Sequence, residues 1–319
     1  MNFRLITIVI ACLLFYTTLP VEKITIFSHP LTSNICGPHS VVLSLIRGLN
    51  SLKIPYIHNP SSVNDITKNV IVLSDIQRLQ QAIALKKSGK IKKLIAGPNL
   101  IDRSNQYNHI AASPEIDMYL VNSLWLKVAF IEEEPLLASH IAICPSGIDT
   151  SFWNPQKTLS ERLFQKNVLI YIKNATQELI KNVEKLVIQY NWNPLKIIYG
   201  DFTHNSYKEA LDNSCYAIFL GATETQGIAF AEAWSMNIPT LVYDTKKAIL
   251  FGRKYSLVSY CPYLSSATGI DWRDLDELEG LIKAMPCCFD YFYPRQWVLD
   301  NMSDTVCTQR ILNLFESIP

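Results

Sequence analysis

Two carboxylates, Glu224 and Glu232, stand eight positions apart in ETQGIAFAEAWSMNIPTLV (224–242). Glu224 follows the apolar run CYAIFLG (215–221). It therefore falls on a loop at the carboxyl edge of an expected strand, where open α/β sheets bind their ligands. Glu232 sits among Ala229, Phe230, Ala231, Ala233 and Trp234, too far along the following helix to cap it and flanked by residues that favour burial. A carboxylate so placed needs donors, and the hydroxyls of a sugar or a ribose would supply them. An isolated helical glutamate more often faces solvent or pairs with a lysine. The run of strand edge, loop acid, glycine and helical acid shifts the reading towards a ligand. Gly227 lets a ligand approach the backbone, and the free amides of Gly227, Ile228 and Ala229 open outward at the positive end of the helix dipole. That combination suits an anion, for which phosphate is the usual example.

The elements that must hold these residues alternate. EKITIFSH (22–29) reads as a strand, PLTSNICGPHS (30–40) as a loop and SVVLSLIRGLNSL (40–52) as a helix, with Gly37 and Pro38 suiting its start. NVIVLSD (69–75), KKLIAGP (92–98), IDMYLVNS (116–123) and HIAICPSGID (140–149) supply further strands, with helices at 76–89 and 124–134. A polar, proline-bearing connector follows, FWNPQKTLSERLFQK (152–166). The alternation then restarts, with strands at 167–173, 195–200, 215–221 and 239–244 and helices between them. Such alternation implies parallel sheets with right-handed crossovers. The expected fold is α/β, with two Rossmann-like doubly wound lobes facing a cleft. Residues 1–20 form a hydrophobic targeting or anchor segment, 21–153 the first lobe, 154–290 the second, and 291–319 C-terminal helices that cross back to the first lobe.

Composition narrows the function classes. The 319 residues are 49% hydrophobic and 18% charged, and 29 Lys+Arg against 28 Asp+Glu leave a net charge of +1. Nucleic-acid surfaces need clustered cations, so no nucleic-acid partner is expected. Cys12, Cys36, Cys144, Cys215, Cys261, Cys287, Cys288 and Cys307 are scattered, most of them in apolar stretches, and read as reduced thiols without a zinc-binding spacing. The adjacent Cys287 and Cys288 read as plain neighbours rather than a redox pair. DLD (274–276) has the form of a metal-binding pair, but Asp274 with Glu277 makes a better helix start, and no metal is expected. At the N-terminus, Arg4 precedes the uncharged run LITIVIACLLFYTTL (5–19), shorter than the roughly 20 residues of a spanning helix. No small-x-small cleavage site follows. An uncleaved anchor or membrane-contacting segment before a body in the cytoplasm, or at the cytoplasmic face of a membrane, is therefore preferred to an export signal.

The E-x7-E element of Glu224 and Glu232 resembles the donor-binding signature of GT-B glycosyltransferases, especially the large retaining family that includes sucrose and glycogen synthases. CPSGIDTSFWNP (144–155) is similar to that family's inter-lobe segment, and KITIFSHPLTSNICGPHS (23–40) to its first strand and glycine loop, so the likeness runs from about Lys23 onward. The resemblance implies an acceptor-side first lobe and a second lobe that binds a nucleotide-sugar. It implies that Glu232 grips the nucleotide ribose, that Glu224 contacts hydroxyls of the transferred sugar, and that Gly227, Ile228 and Ala229 offer amides to the diphosphate. Lys173 would neutralise the leaving phosphates, standing alone where the family more often has an Arg and Lys pair. Gly37 would let the first lobe approach the donor. Lys173 and Glu224 are thus the catalytic candidates. The implied enzyme takes the nucleotide-sugar as substrate, needs no cofactor and retains configuration on an acceptor that the residues do not specify. His39 and His109, in or beside loops near the expected cleft, are acceptor-side candidates, as contacts or as a proton relay. Two other functions fit the same elements: a nucleotide-sugar epimerase of this fold, and an exported two-lobe solute-binding protein.

Overall fold

Runs such as NVIV (69–72) and YAIFL (216–220) are apolar on both faces, which suits parallel strands covered by helices on both sides. The computed structural model describes residues 22–31, 37–246, 249–250, 253–255 and 257–319. The apolar run 5–19, Cys12 and Cys36 lie outside them.

The first lobe is built from β1 (Ile24–Phe27), α1 (Gly37–Ser51), β2 (Tyr56–His58), β3 (Asn69–Val72), α2 (Ile76–Lys87), β4 (Lys93–Ala96), the short α3 (Gln106–His109), β5 (Met118–Val121), α4 (Leu124–Glu133) and β6 (Ile141–Ile143). Its sheet runs β2-β1-β3-β4-β5-β6, and every pair is parallel. The second lobe follows with α5 (Leu159–Gln165), β7 (Asn167–Ile172), α6 (Gln177–Gln189), β8 (Asn193–Ile198), α7 (His204–Asp212), β9 (Tyr216–Leu220), α8 (Ile228–Ser235), β10 (Thr240–Tyr243), an antiparallel pair β11 (Ile249–Leu250) and β12 (Arg253–Lys254), β13 (Gly269–Trp272) and α9 (Leu275–Cys288). Its sheet runs β13-β10-β9-β7-β8, again all parallel. In each sheet the chain starts on an inner strand, adds one neighbour on one side, then works outward on the other. The order therefore reverses beside β1 and beside β7, and ligands of such sheets lie beyond the strand ends at that switch point.

α10 (Pro294–Asn301) and α11 (Asp304–Ser317) close the chain. Val41, Val42, Leu45 and Leu49 give α1 one buried face, and it packs with Ile311, Leu312 and Phe315 of α11, so the last helix does return to the first lobe. Gly48 permits that contact: a Cβ there would lie 1.9 Å from Thr308 Oγ1.

Among the elements that the sequence expectation lacks are β2, β13 and α5. β2 and β13 are edge strands with half-exposed residues, so their apolar signal is weak. The polar connector contains α5, whose Phe164 is 92% exposed, so no apolar stripe marks it. Its signal is the box formed by Thr158 and Glu161, in which each side chain bonds the other residue's N–H. Cys144, Cys215, Cys261 and Cys307 are buried thiols, whereas Cys287 is exposed and Cys288 half-buried.

Candidate active site

β7 and β9 are neighbours at the switch point of the second sheet, and each delivers one charged residue just past its end. Lys173 is the first residue beyond β7, and its N–H donates to Leu220 O, the last residue of β9, at 2.8 Å. Glu224 lies on the loop from β9 to α8, and Lys173 Nζ donates to its Oε1 at 2.5 Å. Tyr199, just past β8, offers its ring face to the same ammonium, 4.2 Å from the centroid. The main chain of Glu224 is held from both lobes. Its N–H donates to Ser259 O at 3.2 Å, and its carbonyl accepts from Trp125 Nε1 on α4 at 2.8 Å.

α8 begins at Ile228, with Gly227 before it in the left-handed conformation, φ 79°. Phe230 stacks on Phe219 of β9 at 4.2 Å between centroids, and Trp234 Nε1 donates to Thr240 Oγ1 at 3.0 Å, which fixes the helix to the sheet. Phe230 N–H donates to Gly227 O at 3.1 Å, whereas the amides of Ile228 and Ala229 precede the first intrahelical bond and Gly227 has no side chain to cap them. Glu232, on the second turn, is 7% exposed and has no hydrogen-bond or ion-pair partner among the described residues. Burial pushes its carboxyl up to about 8.

Glu232 lines a cavity of about 360 Å³ between the lobes. Ile228 and His204 line it on the second-lobe side, and Ser40 and Arg47 of α1 face them, with Asp149 of the inter-lobe segment. Tyr171 of β7 lies within reach of both acids: burial raises its phenol pKa, and the charges of Glu224 and Glu232 raise it further.

The structure thus brings Lys173, Glu224, Gly227, Ile228, Ala229 and Glu232 to one end of the second sheet. Gly37 opens α1 one turn before Ser40, with open space where a Cβ would stand, and His39 is half-buried beside it. His109 is not brought to this group. Tyr107, Asn108 and His109 are successive left-handed residues, φ 51°, 57° and 58°, and they turn the segment towards α2. There His109 lines a separate concavity with Gln80 and Ile83, its Nδ1 2.5 Å from Glu134 Oε2. Asp274 accepts from Glu277 N–H at 2.9 Å and caps α9, as its spacing suggested.

Three residues of the site escaped the sequence reading. Gln226 is 4% exposed and ties the lobes together. Its Oε1 accepts from Ser146 N–H at 2.8 Å and from Asn122 Nδ2 at 3.2 Å, and its Nε2 donates to Ser146 O at 2.8 Å. Trp125 reaches Glu224, and Arg47 donates to Asp304 Oδ2 at 2.5 Å while standing 3.6 Å from Asp149. Only Gln226 carried a signal, as a polar residue inside the run that holds both acids.

No known protein family matches the sequence, and no curated protein matches it. Solved structures do. The lipopolysaccharide outer core galactosyltransferase WaaB, in its apo form, matches with a TM-score of 0.56 at 14% identity, over 93% of this chain and 99% of that one. Sucrose-phosphate synthase from Thermosynechococcus elongatus matches at 0.56 and 10% identity, over 92% and 98%. An alpha-glucosyltransferase in complex with UDP and DNA matches at 0.55 and 12% identity, over 93% and 100%. Likeness at such identity establishes the fold, and that fold is GT-B: two α/β lobes about a cleft, spanning nearly the whole chain.

Proposed function

We propose that this protein is a glycosyltransferase that moves a sugar from a nucleotide-activated donor to an acceptor hydroxyl. The observation that carries the proposal is Glu232: a buried carboxyl with no partner among the described residues, on the wall of the cavity between the lobes, on a helix whose first two amides have no side-chain cap. A carboxylate so placed is stabilised by hydroxyl donors, and the ribose of a nucleotide presents two side by side. A diphosphate attached to that ribose is drawn to the first turn of α8, where the dipole and the N–H groups favour an anion. Lys173 adds a positive charge at the end of β7, and Glu224, held against it, is in reach of the sugar. The matched folds support the reading, since their names are those of sugar transferases and one is a complex with UDP.

Transfer requires charge to be stabilised on the departing diphosphate while the acceptor hydroxyl attacks the anomeric carbon. The α8 amides are fixed donors at that position, and the Lys173 ammonium adds the positive charge. A bound diphosphate competes with Glu224 for Lys173, releasing the carboxylate to accept from sugar hydroxyls. We further propose that the reaction needs no metal and retains configuration; the first rests on the Lys173 and amide charges, the second on the likeness of the E-x7-E element to the retaining family. The exported solute-binding reading is not favoured by these fold matches, nor is the epimerase.

Thermal shift of the full chain against nucleoside diphosphates and their sugars tests the assignment, since a ligand that binds only the folded state raises the melting temperature. One nucleotide family should stabilise the protein, and Glu232→Gln should remove most of the shift. The absence of any stabilisation, or a shift equal in the variant, would overturn the proposal. Product analysis with the stabilising donor then separates transfer from hydrolysis and epimerisation.

A further inference from the structure

The concavity that holds His109 has a volume of about 600 Å³ and lies in the first lobe, between α2, the segment 107–114 and the residues that follow α4. It shares no lining residue with the cavity between the lobes. Tyr107, Asn108 and His109 all line it, and all three are left-handed. Asparagine and histidine take that conformation singly at little cost, but a run of three that includes a tyrosine is strained, and strain of this kind collects where side chains are held for a ligand. His109 is fixed in place by Glu134, a residue only 9% exposed, whose Oε2 lies 2.5 Å from Nδ1. The histidine side chain is nevertheless 56% exposed, and its Nε2 and the other carboxylate oxygen, Oε1, have no partner among the described residues. The Tyr107 ring is exposed beside them, and Ile83 and Ile110 add apolar wall.

These groups select a ligand class. No Lys or Arg lines the concavity among the described residues, and Lys86 and Lys87 of α2 are paired with Asp117 and Glu115, so an anion finds no countercharge. A hydrocarbon would cover Glu134 and His109 and leave their free atoms unpaired. A sugar ring meets both demands. One hydroxyl donates to Glu134 Oε1, its neighbour pairs with His109 Nε2 as donor or acceptor, and the C–H face of the ring lies on the electron-rich face of Tyr107. The amides of Gln80 and Asn108, which have no hydrogen-bond partner among the described residues, are available to further hydroxyls. We infer that this concavity is a saccharide-binding site separate from the cleft, with room for one or two sugar rings. The inference does not depend on what the cleft binds.

Saturation-transfer NMR of the full chain with maltose, cellobiose, lactose and diacetylchitobiose tests it. At least one of these should bind, with Kd on the order of 1 mM. Tyr107→Gly removes the stacking face while relieving the left-handed strain, so it should bind that sugar about tenfold more weakly or worse with no fall in melting temperature. Glu134→Gln should weaken it as well, and Glu232→Gln, which alters only the cleft, should leave it unchanged. If Glu134→Gln does not fold, Tyr107→Gly decides. Binding of none of the four sugars, undiminished binding by Tyr107→Gly, or a loss confined to Glu232→Gln would overturn the inference, and the last of these would leave the reading of the cleft standing.

Discussion

Glu232 combines three properties that an ordinary helical glutamate does not: burial, no partner among the described residues, and a place on the wall of an inter-lobe cavity. Its raised pKa has a consequence for stability. The folded chain holds a proton on Glu232 up to about pH 8, whereas an unfolded glutamate releases it near the ordinary value of 4.5. Between those values the folded state binds more protons, so its contribution to stability falls as pH rises through the window and is fully lost above it. Glu232→Gln should flatten that part of the profile, as read from urea unfolding at a series of pH values. Hydroxyl donors favour the carboxylate, so binding of a nucleoside diphosphate near neutral pH should release a proton. Calorimetry in two buffers of different ionisation enthalpy measures that release, and a buffer-independent heat would contradict the contact with Glu232. The same variant should weaken nucleotide binding about tenfold or more, since a hydrogen bond to a charged group contributes about 1.5–3 kcal/mol. Lys173→Gln should lower kcat on the order of 100-fold with the fold intact, the loss typical of one preorganised donor to developing charge.

At the scale of elements, α8 presents both the anion-binding amides and Glu232, and its start depends on Gly227. The left-handed φ of 79° disfavours any side chain, and a Cβ would lie 2.6 Å from Cδ2 of Phe230. Gly227→Ala should therefore cost about 1–2 kcal/mol in unfolding free energy and weaken diphosphate binding, because Phe230 must shift and the first turn moves with it. Urea unfolding and nucleotide titration on one preparation check both effects. Apolar periodicity located α8 within a residue or so, as it did α2, α4 and α6. It did not reveal α5, whose exposed Phe164 lies opposite to the burial that periodicity reports.

For the whole molecule, the two lobes are joined near the site by buried polar contacts as well as by the connector. Gln226 matches the N–H and C=O of Ser146 with its two side-chain atoms, and Trp125 of the first lobe donates to Glu224 O of the second. Removing one partner leaves the other buried and unsatisfied, at about 1–3 kcal/mol each. Gln226→Ala should therefore destabilise the protein by about 2 kcal/mol or more and raise KM for the donor, as the acids of the second lobe lose their alignment with the first. Equilibrium denaturation and steady-state kinetics measure the two. A variant with normal stability and normal KM would show that these contacts do not set the lobe arrangement.

Local chemistry made much of this protein legible from the chain alone. Alternating strands and helices declared two parallel sheets, because strands covered on both faces must be apolar throughout. Glu224, Gly227 and Glu232 could be picked out because one strand, one loop and one helix position them, all within nine residues. Tertiary structure alone decided what lies far apart in sequence. It set Lys173 on Glu224, Gln226 on Ser146 and Trp125 on Glu224, and it turned His109 away through three left-handed residues that no local preference requires. Periodicity encodes which face of an element is buried; which residue waits opposite is settled only when the sheets, the returning α11 and the two lobes pack against one another.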